Sequence, residues 1–179
     1  CLRSRDNTPN NAYMAWFDCP GNSPSDPDFS EFWNLGLLYC ADTGLRSLAN
    51  IPNKEYMEQF DCSGNPLSDP DFSAFVNLQL LSCADTGLRS LANIPNKGNM
   101  SWFDCSGNPL SDPDFFAFVN LWLIYCADRD LRSLAKIPNK ANMEQFDGSC
   151  NPTSDPHCSP HVHLQLLSCA AMGLRSHAA

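Results

Sequence analysis

The chain has 179 residues, a formal net charge of −9 and a pI of about 4.6. That balance argues against nonspecific nucleic-acid binding, which needs a cationic face for phosphates, and favours a basic protein partner steered by the long-range field. No apolar run approaches the ~18 residues of a membrane-spanning helix, and no positive stretch followed by an apolar one reads as a signal peptide.

In chain order the first element is a partial unit. Cys1-Leu2-Arg3-Ser4 aligns with Gly44-Leu45-Arg46-Ser47, so the sequence opens in mid-repeat and reads as a fragment or processed product. An apolar position then recurs at Met14, Leu35, Met57, Leu78, Met100, Leu121, Met143 and Leu164, which gives about eight repeats of 21–22 residues. In such arrays stacked units, rather than one globular core, supply stability. Two unit types alternate, so the true period is 43 residues, as from Met14 to Met57. A longer beat of 86 returns Trp16 as Trp102, Tyr39 as Tyr125 and Gln59 as Gln145. Residues 1–179 are expected to form one solenoid: a partial repeat (1–13), a four-repeat block (14–99) and its duplicate (100–179), degenerate from about residue 148.

Each unit predicts a short strand, a tight turn and a return segment. Type A reads Met57-x-x-Phe60-x-Cys62-x-x-Asn65-x-Leu67; type B reads Leu78-x-x-Leu81-x-Cys83-x-x-Thr86-x-Leu88. Phe60 and Cys62 alternate with neighbours that read as exposed, the period-two pattern of a strand. Cysteine closes the strand at Cys19, Cys40, Cys62, Cys83, Cys105, Cys126 and Cys169, with Gly148 at the missing beat. Ten cysteines ordinarily suggest a secreted disulfide scaffold. Here neighbouring strands would lie about 4.8 Å apart, but side chains pointing the same way in parallel register fit disulfide geometry poorly. The ladder is read as buried free thiols acting as small hydrophobes, which favours a reducing intracellular compartment. Cys1, Cys150 and Cys158 lie off the ladder and are candidates for oxidation.

After the strand, Asn22, Asn65, Asn108 and Asn151 sit where a side-chain amide can bond the adjacent turn. Type B units carry Thr43, Thr86, Arg129 and Met172 there, so a looser turn is expected. The return segments contain Pro66, Pro70, Pro95 and their equivalents, which disfavour helix interiors. Extended chain and short 3-10 turns are expected on the convex side, with Phe72, Phe75, Leu91 and Ile94 turned inward.

These motifs resemble the leucine-rich-repeat superfamily over nearly the whole chain. The Phe60–Asn65 stretch, Phe-Asp-Cys-Ser-Gly-Asn, is similar to the short cysteine-ladder repeats of bacterial internalin-like surface proteins. The Gly87–Lys97 run resembles, in part, the acidic leucine-rich nuclear phosphoproteins, which bind histones and phosphatases. The resemblance implies an α/β-type leucine-rich-repeat solenoid with a parallel sheet on its concave face. The first likeness implies an extracellular adhesin, the second an intracellular regulator.

Concave strand positions are the expected binding surface. One column runs Trp16, Leu37, Gln59, Leu80, Trp102, Leu123, Gln145, Leu166; the next runs Asp18, Tyr39, Asp61, Ser82, Asp104, Tyr125, Asp147, Ser168. Trp122 is counted with their aromatic members. Exposed Trp and Tyr are enriched at interaction hot spots, and an acidic, aromatic strip suits a basic or extended protein segment through charge pairing and cation–π contact. The Asp-Pro-Asp pairs at Asp26/Asp28, Asp69/Asp71 and Asp112/Asp114 could offer Ca²⁺ ligands, but six to eight oxygens are needed and turn capping explains them better. His157, Cys158, His161 and His163 have the residue types of a zinc site, yet they replace Asp71, Phe72, Phe75 and Asn77 of the intact copy, in a repeat that has also lost other frame residues. No nucleophile elbow, phosphate loop or zinc-protease motif is present. The sequence therefore predicts a non-enzymatic interaction scaffold with no cofactor and no metal. Its alternatives are a self-assembling module, a homo-oligomer stacked through uncapped ends that expose strand edges, and an incomplete fragment of a larger repeat protein.

Overall fold

The computed structural model describes residues 11–21, 26–111, 113–128, 131–132, 136–137, 142–151 and 165–168. Eight three-residue strands follow one another across a single sheet: β1 (Trp16–Asp18), β2 (Leu37–Tyr39), β3 (Gln59–Asp61), β4 (Leu80–Ser82), β5 (Trp102–Asp104), β6 (Leu123–Tyr125), β7 (Gln145–Asp147) and β8 (Leu166–Ser168). All neighbours pair in parallel, in the register that the repeat dictates. The ladder runs on past the strand ends, as Cys40 N–H donates to the Asp61 carbonyl at 2.8 Å and Cys62 N–H to that of Ser82 at 2.9 Å. The chain is thus a parallel-strand solenoid.

From β2 to β6 the middle residue of each strand and the cysteine after it are buried in the core, and the two unit types build different core compartments. In type A the strand phenylalanine meets two more from the return segment. Phe60 stacks on Phe75 with ring centroids 5.3 Å apart and meets Phe72 edge-on at 6.4 Å; Phe103 stacks on Phe118 at 5.1 Å. Such pairs contribute about 0.5–1.5 kcal/mol beyond the area they bury. In type B the compartment is aliphatic: Leu81, Leu88, Leu91 and Ile94 are buried, as are Leu38, Leu45, Leu48 and Ile51.

Through both kinds of compartment runs the thiol ladder. Cys19, Cys40, Cys62, Cys83, Cys105 and Cys126 are buried and unbridged, in line with the packing argument. Burial raises the Cys19 thiol to about 11 and pushes Cys40, Cys62 and Cys83 well above the ordinary thiol range. They are therefore protonated and inert as nucleophiles at neutral pH. The Cys83 Sγ lies 3.4 Å from the Asp104 carbonyl as a weak donor. Cys1, Cys158 and Cys169 fall outside the described residues.

The asparagines do more than close their own turns. The Asn65 amide nitrogen donates to the carbonyls of Cys62 (2.9 Å) and Ser63 (3.2 Å) in its own unit and of Cys40 (2.8 Å) in the unit before. Its oxygen accepts the N–H groups of Thr43 (3.1 Å) and Leu45 (2.9 Å) from that preceding unit. Asn108 repeats the set on Cys83, Thr86 and Leu88, and Asn151 bonds Cys126 and Leu131. The expectation of a looser type B turn is therefore corrected. Thr43 and Thr86 close their own turns by donating Oγ1–H to Cys40 and Cys83 carbonyls, each at 2.8 Å, while the next asparagine reaches back to finish them. Asn22, Arg129 and Met172 lie outside the described residues.

The return segments are extended chain with short 3-10 turns at Asn11–Tyr13, Lys54–Tyr56 and Lys97–Asn99. The Asp-Pro-Asp carboxylates hold this side together. Asp28, Asp71 and Asp114 each accept a backbone N–H two residues on, at 2.9–3.0 Å. Asp26 and Asp69 take the N–H of Arg46 and Arg89 in the following unit. Asp112 lies outside the described residues.

Candidate binding face

Alternation along each strand sends the first and third residues away from the core, and the pairing register stacks them into the two columns read from sequence. Trp16, Leu37, Gln59, Leu80, Trp102, Leu123, Gln145 and Leu166 stand side by side; so do Asp18, Tyr39, Asp61, Ser82, Asp104, Tyr125, Asp147 and Ser168. Neither column contains a lysine or arginine. Aspartates occupy every second strand, about 9.6 Å apart at the usual strand spacing.

Exposure is uneven along this face. Trp16 is 59% exposed, whereas its counterpart Trp102 is half-buried. Trp102 is flanked by Leu80 and Leu123, while Trp16 pairs with Leu37 alone among the described residues. Ser82 and Leu123 are buried, so the columns are not continuously open. Trp122 is 39% exposed but stands one residue before β6, off both columns.

The polar members are pinned to one another. Tyr39 Oη–H donates to Gln59 Oε1, and Tyr125 makes the same bond to Gln145 at 3.1 Å. Asp61, Asp104 and Asp147 each accept the N–H of the serine two residues on, at 2.9–3.0 Å, which fixes the carboxylate rotamer. A carboxylate offers about four acceptor sites, so one backbone bond leaves capacity for an incoming cation. Burial raises the Asp104 carboxyl above the usual range against the opposing effect of its Ser106 hydrogen bond, with Asp61 and Asp85 adding to the rise. Tyr39 is likewise raised, by burial and then by Asp18 and Asp61, so its phenol stays neutral. The indole Nε1–H of Trp102 is buried without a hydrogen-bond acceptor among the described residues.

One structural feature lies outside the strand-and-turn frame read from sequence. Asn34, Asn77 and Asn120 form a second asparagine series whose amides donate to the carbonyls of Ala12, Glu55 and Gly98 in the preceding unit. Their signal is the asparagine one residue before Leu35, Leu78 and Leu121, on the 43-residue beat. Cys150, off the ladder, takes the place of Gly64 and Gly107. All three are left-handed, at φ 58°, 66° and 66°. A Cβ at Gly107 would lie 1.8 Å from an Asp85 carboxylate oxygen. The exposed Cys150 thiol instead hydrogen-bonds the equivalent Asp128, which raises its pKa, helped by the charges of Asp128 and Asp147.

Among the described residues no three His, Cys, Asp or Glu side chains converge as a metal set, and no helix is long and apolar enough to cross a membrane. His157, Cys158, His161 and His163 lie outside those residues.

A scan of protein-family models and a search of curated proteins give no match. Solved structures do match. An internalin, InlF, from Listeria monocytogenes superposes with a TM-score of 0.69 at 16% identity, covering 79% of this chain and 43% of that one. The functional domain of InlJ from the same organism, described as including a cysteine ladder, gives 0.67 at 15% identity, covering 92% and 46%. Internalin C2, also from that organism, gives 0.66 at 14% identity over 90% and 83%. The chain thus spans less than half the length of the first two. These likenesses show the fold, a leucine-rich-repeat solenoid. They lend no support to the resemblance to acidic nuclear phosphoproteins.

Proposed function

We propose that this solenoid is a non-enzymatic interaction scaffold whose concave sheet face holds a basic or extended protein segment. The observation that carries the reading is the column of Asp18, Asp61, Asp104 and Asp147, set beside aromatic residues and free of cations. Fixed carboxylates steer a cationic partner and set its register, while Trp and Tyr supply contact area at low entropic cost.

The test is a triple variant, Asp61→Asn, Asp104→Asn and Trp102→Ala, against a panel of lysine-rich peptides at low and high salt. Asparagine keeps the oxygen that caps each turn, so the strands should stay folded. Parent binding should weaken with salt and fall at least about tenfold in the variant, since tenfold is only ~1.4 kcal/mol. Equal binding by the variant removes the face as the site. Acidification should also weaken binding. Because the Asp104 carboxyl is raised, it is neutralised at a higher pH than an ordinary aspartate, and its contribution is lost first.

A further inference from the structure

We infer that the segment accepted by this face is a polyproline II helix carrying a cation at every third residue. The inference rests on the proposed binding role of the face and adds the conformation and spacing of the partner.

The first argument is metric. The aspartates of β1, β3, β5 and β7 recur at about 9.6 Å across the sheet. A polyproline II helix turns once every three residues and rises about 9.3 Å per turn. A ligand crossing the strands would therefore present one side chain per turn to each aspartate, drifting by only about 0.3 Å at each step. A β-strand cannot do this. Its side chains return to the same side every about 6.6 Å or 13.2 Å, missing the aspartate spacing in both cases. An α-helix fits less well, because the heptad return is about 10.5 Å and the mismatch accumulates three times as fast.

The second argument is chemical. Polyproline II has no internal hydrogen bonds and leaves its carbonyls available. Trp102, in the middle of the strip, holds a buried indole N–H that lacks an acceptor. Leaving a buried donor unpaired is unfavourable, and a small rotation of the ring toward a docked carbonyl would satisfy it. Aromatic residues lining a face are how proline-rich helices are generally held. Here Tyr39 and Tyr125 sit four strands apart, about 19 Å, or two ligand turns. Their rings are held in place by Gln59 and Gln145, so the face is preorganised and little side-chain entropy is lost on docking.

The experiment uses the full chain and three synthetic twelve-residue peptides of equal charge, titrated by calorimetry in reducing buffer. The first is four copies of Pro-Pro-Lys. The second has the same residues with the lysines in one block. The third is four copies of Gly-Ser-Lys, with the spacing kept but the helix lost. The first should bind about tenfold or more tighter than each of the others, as expected for several modest charge pairs gained or lost together. Substituting Asn at Asp61, Asp104 and Asp147 should abolish that preference while far-UV circular dichroism stays unchanged. Equal affinities for all three peptides would overturn the inference and leave the wider reading of a basic partner standing. Failure of all three to bind, at low salt, would overturn both.

Discussion

Removing the Asn108 amide tests the idea that each type A asparagine fastens two units together. Its nitrogen donates to the Cys83 carbonyl at 2.7 Å and the Cys105 carbonyl at 2.9 Å, and its oxygen accepts Thr86 N–H at 3.0 Å and Leu88 N–H at 2.9 Å. The side chain is fully buried, and so in effect are Thr86 and Leu88. In Asn108→Ala both of those N–H groups lose the acceptor and stay inaccessible to water. An orphaned buried donor costs about 1–3 kcal/mol, so two cost roughly 4 kcal/mol in total. That is a large share of the ~5–15 kcal/mol that holds a typical domain together. Because a solenoid is stabilised by nearest-neighbour interfaces, the loss falls on the junction between the second and third 43-residue pairs. Urea titration followed by tryptophan fluorescence should show a much lower midpoint and a broadened or two-step transition. Asn108→Thr restores a hydroxyl that can close its own turn, as Thr86 does, but cannot reach back to the preceding unit; it should recover part of the loss. An Asn108→Ala midpoint equal to that of the parent, with a single sharp transition, would refute the clamp.

Two further outcomes follow from the left-handed turn after each type A strand. Gly107→Ala should destabilise by about 1–2 kcal/mol, from the positive φ and the approach to Asp85 together. Added to Asp85→Gly the same change should cost less, because the obstructing carboxylate is gone; a double-mutant cycle in urea reads the coupling, and strict additivity would contradict the geometry. Cys150 should be alkylated more slowly than an ordinary exposed thiol at neutral pH. Its raised pKa keeps the thiolate scarce, so the rate should climb only as pH rises past the ordinary thiol range. Asp128→Asn should accelerate it, as followed at the Cys150 peptide by mass spectrometry. An unchanged rate would mean that the carboxylate does not control the thiol.

Much of the fold could be read from the chain because its determinants are local and periodic. Phe60 and Cys62 alternate with Gln59 and Asp61, and parallel pairing at a constant offset then aligns every column without further information. The cysteine ladder was legible for the same reason, since equivalent positions on successive strands must face the same way. What escaped were effects of neighbours distant in sequence. That Thr43 makes a tight turn depends on Asn65, 22 residues on. That Trp102 is half-buried while Trp16 is exposed depends on Leu80 standing on its other side. The Asn34, Asn77 and Asn120 series was hidden because asparagine before a leucine has no meaning until the carbonyl it reaches in the previous unit is known. Residue type alone groups Trp122 with the strip, while its place one residue ahead of β6 puts it outside the two columns.

The alternation of phenylalanine and aliphatic compartments bears on a hazard peculiar to near-identical tandem units. A chain of this kind can pair the wrong copies and trap itself in slipped states. Displacing the winding by a single unit would press Phe72 and Phe75 toward space shaped for Leu91 and Ile94, and would oppose threonine to threonine where an amide must bridge. The smallest slip that preserves the core contacts is therefore a whole pair of units. Halving the number of tolerated mispairings smooths the route to the native winding. It also means that gain or loss of sequence in such a gene is tolerated in pairs of units, whereas a single inserted unit would leave a faulted seam.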